Sequence, residues 1–295
     1  MGIPSRITRQ AGRHSRVDGI PFAMPVVCHN SPVLMAAFTI DGARAQAMMP
    51  GDEIHVLRVA GGRGLLVVTV IDYRDTVIGK YVEYSIGIAC THGRRPAPPF
   101  IPALLMKTFG TGQFVIDLPV SSEISVKGGK GICGMPKHQA ALDFQIGTRT
   151  VSSMYALDGR EVATIEIAKP ASTPLPVRMG AVNYCAFRGM LMKSYVYFRG
   201  RAGASFMKKG AATFRLGTHP RAEPLRALDI NPDPLFTAFI PSAQGTLDDH
   251  FESWFLTYAS APARDPEGLE SVVDLGLSEA WLPPPRPPVD ERVGA

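Results

Sequence analysis

"GGKGICGMPKHQAALDFQIG", Gly128 to Gly147, sets the question of the fold. Gly129, Gly131 and Gly134 fall on G-x-G-x-x-G, a spacing that in dinucleotide-binding proteins follows a strand and opens a helix. Pro136 stands two residues after the last glycine, where it removes a hydrogen bond from the first turns of any such helix. Beyond it, Ala140, Leu142, Phe144 and Ile146 alternate with Gln139, Asp143 and Gln145, a period of two rather than 3.6. No G-x-x-x-x-G-K-[ST] can be laid on these residues either. The stretch therefore reads as a glycine-shaped loop between two strands, not a phosphate cradle. The residues it delivers are Met135, Pro136, Lys137 and His138.

Working outward, short apolar, β-branched runs recur: 65–71, 81–89, 113–120, 150–157, 161–168 and 191–198. Turn signals such as "DGR" at 158–160 and "FRG" at 187–189 separate them. This punctuation predicts an α+β domain dominated by an antiparallel sheet or barrel, rather than alternating βαβ units. Three helices are predicted: 41–49, capped by Asp41 and stopped by Pro50; 102–109, ending at Gly110; and 246–259, opened by Thr246 or Asp248. Residues 1–24 read as a disordered or extended tail, 25–259 as the domain, and 260–295, with "PPPRPP" at 283–288, as a Pro-rich extended tail.

The net charge of +5 is uneven, since residues 1–20 hold Arg6, Arg9, Arg13 and Arg16 against Asp18 alone. The remainder is nearly balanced and offers no basic face for nucleic acid. Cys28, Cys90, Cys133 and Cys185 are too widely spaced for a zinc signature or a disulfide framework. No apolar run reaches the length of a membrane span, and the N-terminus carries no signal-peptide pattern. A cytoplasmic protein is the expectation. His55, His92, His219 and His250 show no metal spacing, and neither a metal nor any other cofactor is expected.

A lysine amine is a nucleophile only when neutral, and a dry pocket or a neighbouring cation favours that form. Residue types alone equally allow a surface lysine beside a surface histidine. Gly134-Met135-Pro136-Lys137-His138 resembles the acetoacetate decarboxylase superfamily, whose members carry a glycine-rich strand entry, then an apolar or aromatic residue and Pro-Lys-Lys. The resemblance puts the Schiff-base lysine on Lys137 and the second lysine, credited with activating the first, on His138. "GKYVEY" at 79–84 is similar to the family's Gly-x-Tyr-x-Glu and puts the active-site glutamate on Glu83. Residues 38–50, 157–167 and 236–252 resemble an early strand and helix, a late strand, and the closing strand with a C-terminal helix. The resemblance spans roughly residues 25 to 256 and implies a barrel, a small carbonyl substrate and a homo-oligomer.

Departures accompany it. The family's early arginine, thought to hold the substrate carboxylate, falls on Asn30 or Ser31, and a second glutamate falls near Val68 or Thr69. The expected function is a cofactor-free Schiff-base lyase, decarboxylase-like but a poor acetoacetate decarboxylase. The alternatives are a Schiff-base aldolase or dehydratase, and a binding protein that keeps the pocket. The expected catalytic residues are Lys137, Glu83 and His138. Met135, Asn30 and Glu123, the last as a strand residue, are the expected substrate contacts. Lys127 and Lys130 read as loop residues.

Overall fold

The computed structural model describes residues 12–173, 176–248 and 250–258. Seven strands close a barrel: β1 (Val26–Ile40), β2 (Gly64–Tyr73), β3 (Tyr81–His92), β4 (Gly112–Val120), β5 (Val177–Phe187), β6 (Met190–Gly200) and β7 (Pro234–Leu247). They follow one another around the wall in chain order, and β7 pairs back on β1. All these pairings are antiparallel except β4–β5, which is parallel. A parallel pair needs a long crossover. That crossover contains a helix, Glu123–Cys133, the short strand Lys137–Gln139 and most of a second sheet.

The second sheet is antiparallel, built from Thr150–Leu157, Arg160–Ala168 and Ala212–Leu216 with the short pieces Ala141–Leu142 and Gln145–Ile146. It lies against the outside of the barrel. Its Val151, Tyr155, Ile165 and Ile167 share one core with Leu34, Phe38, Val68, Val70, Tyr84 and Ile86. Successive strand residues face opposite sides. Val33 and Met35 of β1, Thr69 and Ile71 of β2, and Tyr81, Glu83 and Ser85 of β3 therefore point into the barrel. With both faces covered, the wall strands read as nearly continuous apolar runs.

All six strand runs read from the sequence are strands. The turns at Asp158-Gly159 and Arg188-Gly189 have positive φ at both residues, the twist-matched geometry of tight hairpins. Asp41 caps a helix at Gly42–Ala47 by accepting from the Ala43 and Arg44 amides. The predicted helix 102–109 is reduced to the four-residue helix Ile101–Leu104, which takes in only three of its residues.

Three expectations differ. The described residues of 246–259 are not helical: β7 runs to Leu247, and Glu252–Phe255 is a strand pairing with Met190–Lys193 of β6. The edge of β6 offers that segment a ladder, which outweighs its capping signals. Of the expected N-terminal tail, Arg13–Val17 and Ile20–Met24 form a hairpin whose Phe22 and Met24 are buried. The glycine segment is not a loop, since Glu123–Cys133 is helical and Lys127 and Lys130 belong to it. The Pro-rich stretch 260–295 lies outside the described residues.

Candidate active site

The helix Glu123–Cys133 survives three interior glycines, each of which costs about 1 kcal/mol against alanine, because each sits where a side chain would collide. A Cβ on Gly128 would stand 2.8 Å from the Phe22 ring, and one on Gly131 2.6 Å from Val17, so these two glycines seat the N-terminal hairpin. A Cβ on Gly129 would stand 2.7 Å from Lys137 Cε and closer still to Cδ. The helix ends at Gly134 with φ 64°, the left-handed cap that glycine adopts freely. The chain then turns through Met135 and Pro136 into Lys137–Gln139. That strand runs parallel to β4, with Lys137 opposite Leu118. The glycine pattern thus belongs to close packing around a lysine stem.

Lys137 is 8% exposed, and its Nζ meets Glu83 Oε2 at 2.6 Å. The same Nζ donates to Ser125 Oγ at 3.0 Å. Ser125 and Gly129, four apart on one helix face, hold the amine and clear its stem. Ser125 also hydrogen-bonds Tyr81, whose ring centroid is 5.6 Å from Nζ and which stacks on Tyr73 at 4.5 Å. Burial first, and then the Glu83 charge, push the Tyr81 phenol well above its ordinary range, so it stays a neutral hydrogen-bonding group. Burial drives the neighbouring Cys133 thiol up to about 12, against the opposing pull of Lys137.

These groups open on a cavity of about 240 Å³ inside the barrel. Its wall is chiefly Val26, Val33, Met35, Ile71, Val115, Leu118, Met179, Val196, Phe198 and Leu247. Polar groups are few. They include Thr69, Ser85, Thr246 and the Gln113–Asn183 amide pair, joined by a 2.8 Å hydrogen bond. No arginine lines the cavity among the described residues.

The structure brings Lys137, Glu83 and Met135 together in this cavity. The other three expected site residues lie elsewhere. His138, on the opposite face of its strand, points out of the barrel to Tyr155 of the second sheet (2.9 Å) and Asp117 of β4 (3.5 Å). Glu123 is a first-turn helix residue, 71% exposed and 3.7 Å from Lys127. Asn30 is exposed at a kink of β1 with φ 48°, and it accepts from Ser242 Oγ at 3.1 Å. Ser125, Tyr81, Gln113 and Asn183 escaped the sequence reading. The signal for Ser125 was its i, i+4 spacing to Gly129, hidden once the segment was read as a strand.

A closed seven-stranded barrel with this strand order defines the acetoacetate decarboxylase class of fold. The family model "Acetoacetate decarboxylase (ADC)" matches residues 10–186, and the chain belongs to this family. Its structural likenesses are distant. The chain is similar to an acetoacetate decarboxylase from Legionella pneumophila at 18% identity, covering 76% of this chain and 85% of that one, with a TM-score of 0.55. A structure from "Structural Studies of Acetoacetate Decarboxylase" gives 14% identity, 86% and 98% coverage, and a TM-score of 0.57. The enduracididine biosynthesis enzyme MppR, complexed with pyruvate, gives 13%, 78% and 90%, and 0.54. No curated protein sequence matches the chain. No helix among the described residues is long and apolar enough to cross a membrane.

Proposed function

We propose that the protein is a Schiff-base-forming lyase that acts on a carbonyl compound through Lys137. The observation that carries this reading is the Lys137 Nζ–Glu83 Oε2 contact of 2.6 Å at the wall of a mostly apolar cavity. Glu83 takes a proton from Nζ, and the freed lone pair attacks the carbonyl carbon. The proton that the attacking nitrogen now carries in excess passes to the alkoxide, which leaves a neutral carbinolamine with a lone pair on nitrogen. Nitrogen expels its hydroxyl as water, with Glu83 returning the proton that the departing oxygen needs. The iminium is then an electron sink. A bond to the adjacent carbon breaks, its electron pair moves into an enamine, and reprotonation followed by hydrolysis returns the free lysine. Ser125 keeps Nζ aimed at the cavity throughout, and Tyr81 buttresses Ser125.

Acetoacetate is a poor fit for this site. A small β-keto acid is held chiefly by its carboxylate, for which arginine is the suited partner. A charge-assisted contact is worth about 1.5–3 kcal/mol, and Lys137, the one lysine lining the cavity among the described residues, is already paired with Glu83. That the structurally similar MppR is complexed with pyruvate, a carbonyl compound, supports this reading of the ligand.

The test is borohydride trapping. Purified protein with a small ketone should gain the ligand mass irreversibly, on the peptide that contains Lys137. A label on any other lysine, or none with a range of ketones, aldehydes and keto acids, would overturn the mechanism. Rapid carbon dioxide release from acetoacetate would overturn the specificity claim.

A further inference from the structure

Strand geometry gives the cavity a second end. The edge of β4 not taken by β3 is shared: β5 pairs with it at Gln113–Phe114, and the Lys137 strand at Leu118–Val120. Gln113 and Leu118 are five residues apart, which is roughly 16 Å of extended chain. Both line the cavity, with Lys137 beside Leu118 and Asn183 opposite Gln113. Between these ends the walls are apolar, including Val115, Ile71, Met179 and Phe198.

The far end carries one defined polar device. Gln113 Nε2 donates to Asn183 Oδ1 at 2.8 Å. Gln113 Oε1 packs against Gly87, 3.0 Å from where a Cβ would stand, so the Gln113 amide is pinned on both sides. The Asn183 NH2 is left as a donor at the cavity wall. It is uncharged, and nothing beside it compensates a carboxylate: among the described residues the cavity's charged groups are Lys137 and Glu83, which neutralise each other at the opposite end.

We propose that the site takes an elongated, uncharged aldehyde or ketone, with its carbonyl at Lys137, an apolar body along β4, and a remote hydroxyl or carbonyl oxygen accepting from Asn183 Nδ2. The position of the reactive end rests on the Schiff-base reading. The apolar body and the neutral far contact do not.

The two are separated by ligands that cannot form an imine. Calorimetry of the wild-type chain with 1,7-octanediol, 7-hydroxyoctanoate and 2-octanol should give the diol the tightest binding, with the carboxylate about tenfold or more weaker, on the scale of an unpaired buried charge. Asn183→Leu, which offers the hydroxyl neither donor nor acceptor, should lose the advantage of the diol over 2-octanol, with thermal melts confirming that it folds. Equal or tighter binding of 7-hydroxyoctanoate, a diol no better than 2-octanol, or no binding by any of the three would overturn the proposal. In parallel, 8-hydroxy-2-octanone with borohydride reads the imine. Diol selectivity without trapping would sink the Schiff-base mechanism and leave this ligand class standing.

Discussion

Gly129 is opposite the stem of Lys137, so close that any Cβ there would overlap the lysine's Cδ and Cε. The lysine cannot simply swing aside, because its Nζ is tied to both Glu83 and Ser125. Gly129→Ala should therefore leave a folded protein, gaining up to about 1 kcal/mol of helix propensity, while breaking the ion pair. Borohydride trapping should fall at least about tenfold, the scale of one lost charged hydrogen bond. Gly131→Ala is the control on the same helix. It strikes Val17 of the N-terminal hairpin and should lower Tm while leaving trapping nearly intact. Equal trapping in wild type and Gly129→Ala would separate this packing from the chemistry.

Lys137→Ala should abolish turnover of any carbonyl substrate. Lys137→Arg should do the same, because a guanidinium does not form the imine under these conditions. Glu83→Gln keeps the shape but cannot accept the Nζ proton. It should slow imine formation by about 10²–10⁴-fold, the usual worth of a positioned acid–base group. Stopped-flow trapping measures this directly, and a Glu83→Gln rate within twofold of wild type would remove Glu83 from the mechanism.

His138→Ala should be mild in activity and costly in stability. The imidazole faces away from the cavity and bonds Tyr155, while Asp117 also receives Tyr155 OH at 3.2 Å and Arg221 at 3.3 Å. Removing it strips one partner from this buried cluster, a loss of about 1–3 kcal/mol. A denaturation midpoint shifted down with kcat within a few-fold is the expected pair of results. A large fall in kcat at unchanged stability would restore His138 to the catalytic group.

The barrel was legible because its strands bury both faces, which turns 65–71, 81–89 and 113–120 into mostly apolar runs. Lys137 and Glu83 were legible through their local motifs; the same motif put His138 beside Lys137 in the catalytic group, whereas strand parity turns its side chain to the other face. The glycine helix was not legible. Its period is carried by absences, at Gly128, Gly129 and Gly131, whose partners Phe22, Lys137 and Val17 come from other elements. Once that segment was read as extended, Glu123 seemed able to reach the pocket and Ser125 disappeared from view. Asn30 was placed by analogy with an arginine, and the kink of β1 turns it outward. Gln113 and Asn183 are 70 residues apart and meet only through the parallel β4–β5 seam.

The buried thiols set an alkaline limit on stability. Burial raises Cys28 from 9.0 to about 11 and Cys133 from 9.0 to about 12, and it lifts Cys90 and Cys185 further in the same direction. The folded state therefore binds these protons more tightly than the unfolded chain does. Their contribution to stability is fully present below pH 9 and is lost as the pH rises through the folded values, because the unfolded chain releases protons first. Tyr73, Tyr81 and Tyr84, also raised by burial, extend the same trend above pH 10. The urea midpoint, measured under reducing conditions, should have no thiol-linked slope from pH 7 to 8.5 and should fall steadily from pH 9 to 11. Alkylation of the native protein should remain slow across that lower range, because the thiols stay protonated and buried. Cys28→Ala should make the decline shallower only up to about pH 11, since Cys28 has the lowest raised value of the four and its contribution is the first to be exhausted. A midpoint that holds level to pH 11, or brisk native-state labelling of Cys133 at pH 8, would contradict the dry, enclosed site on which the chemistry of Lys137 depends.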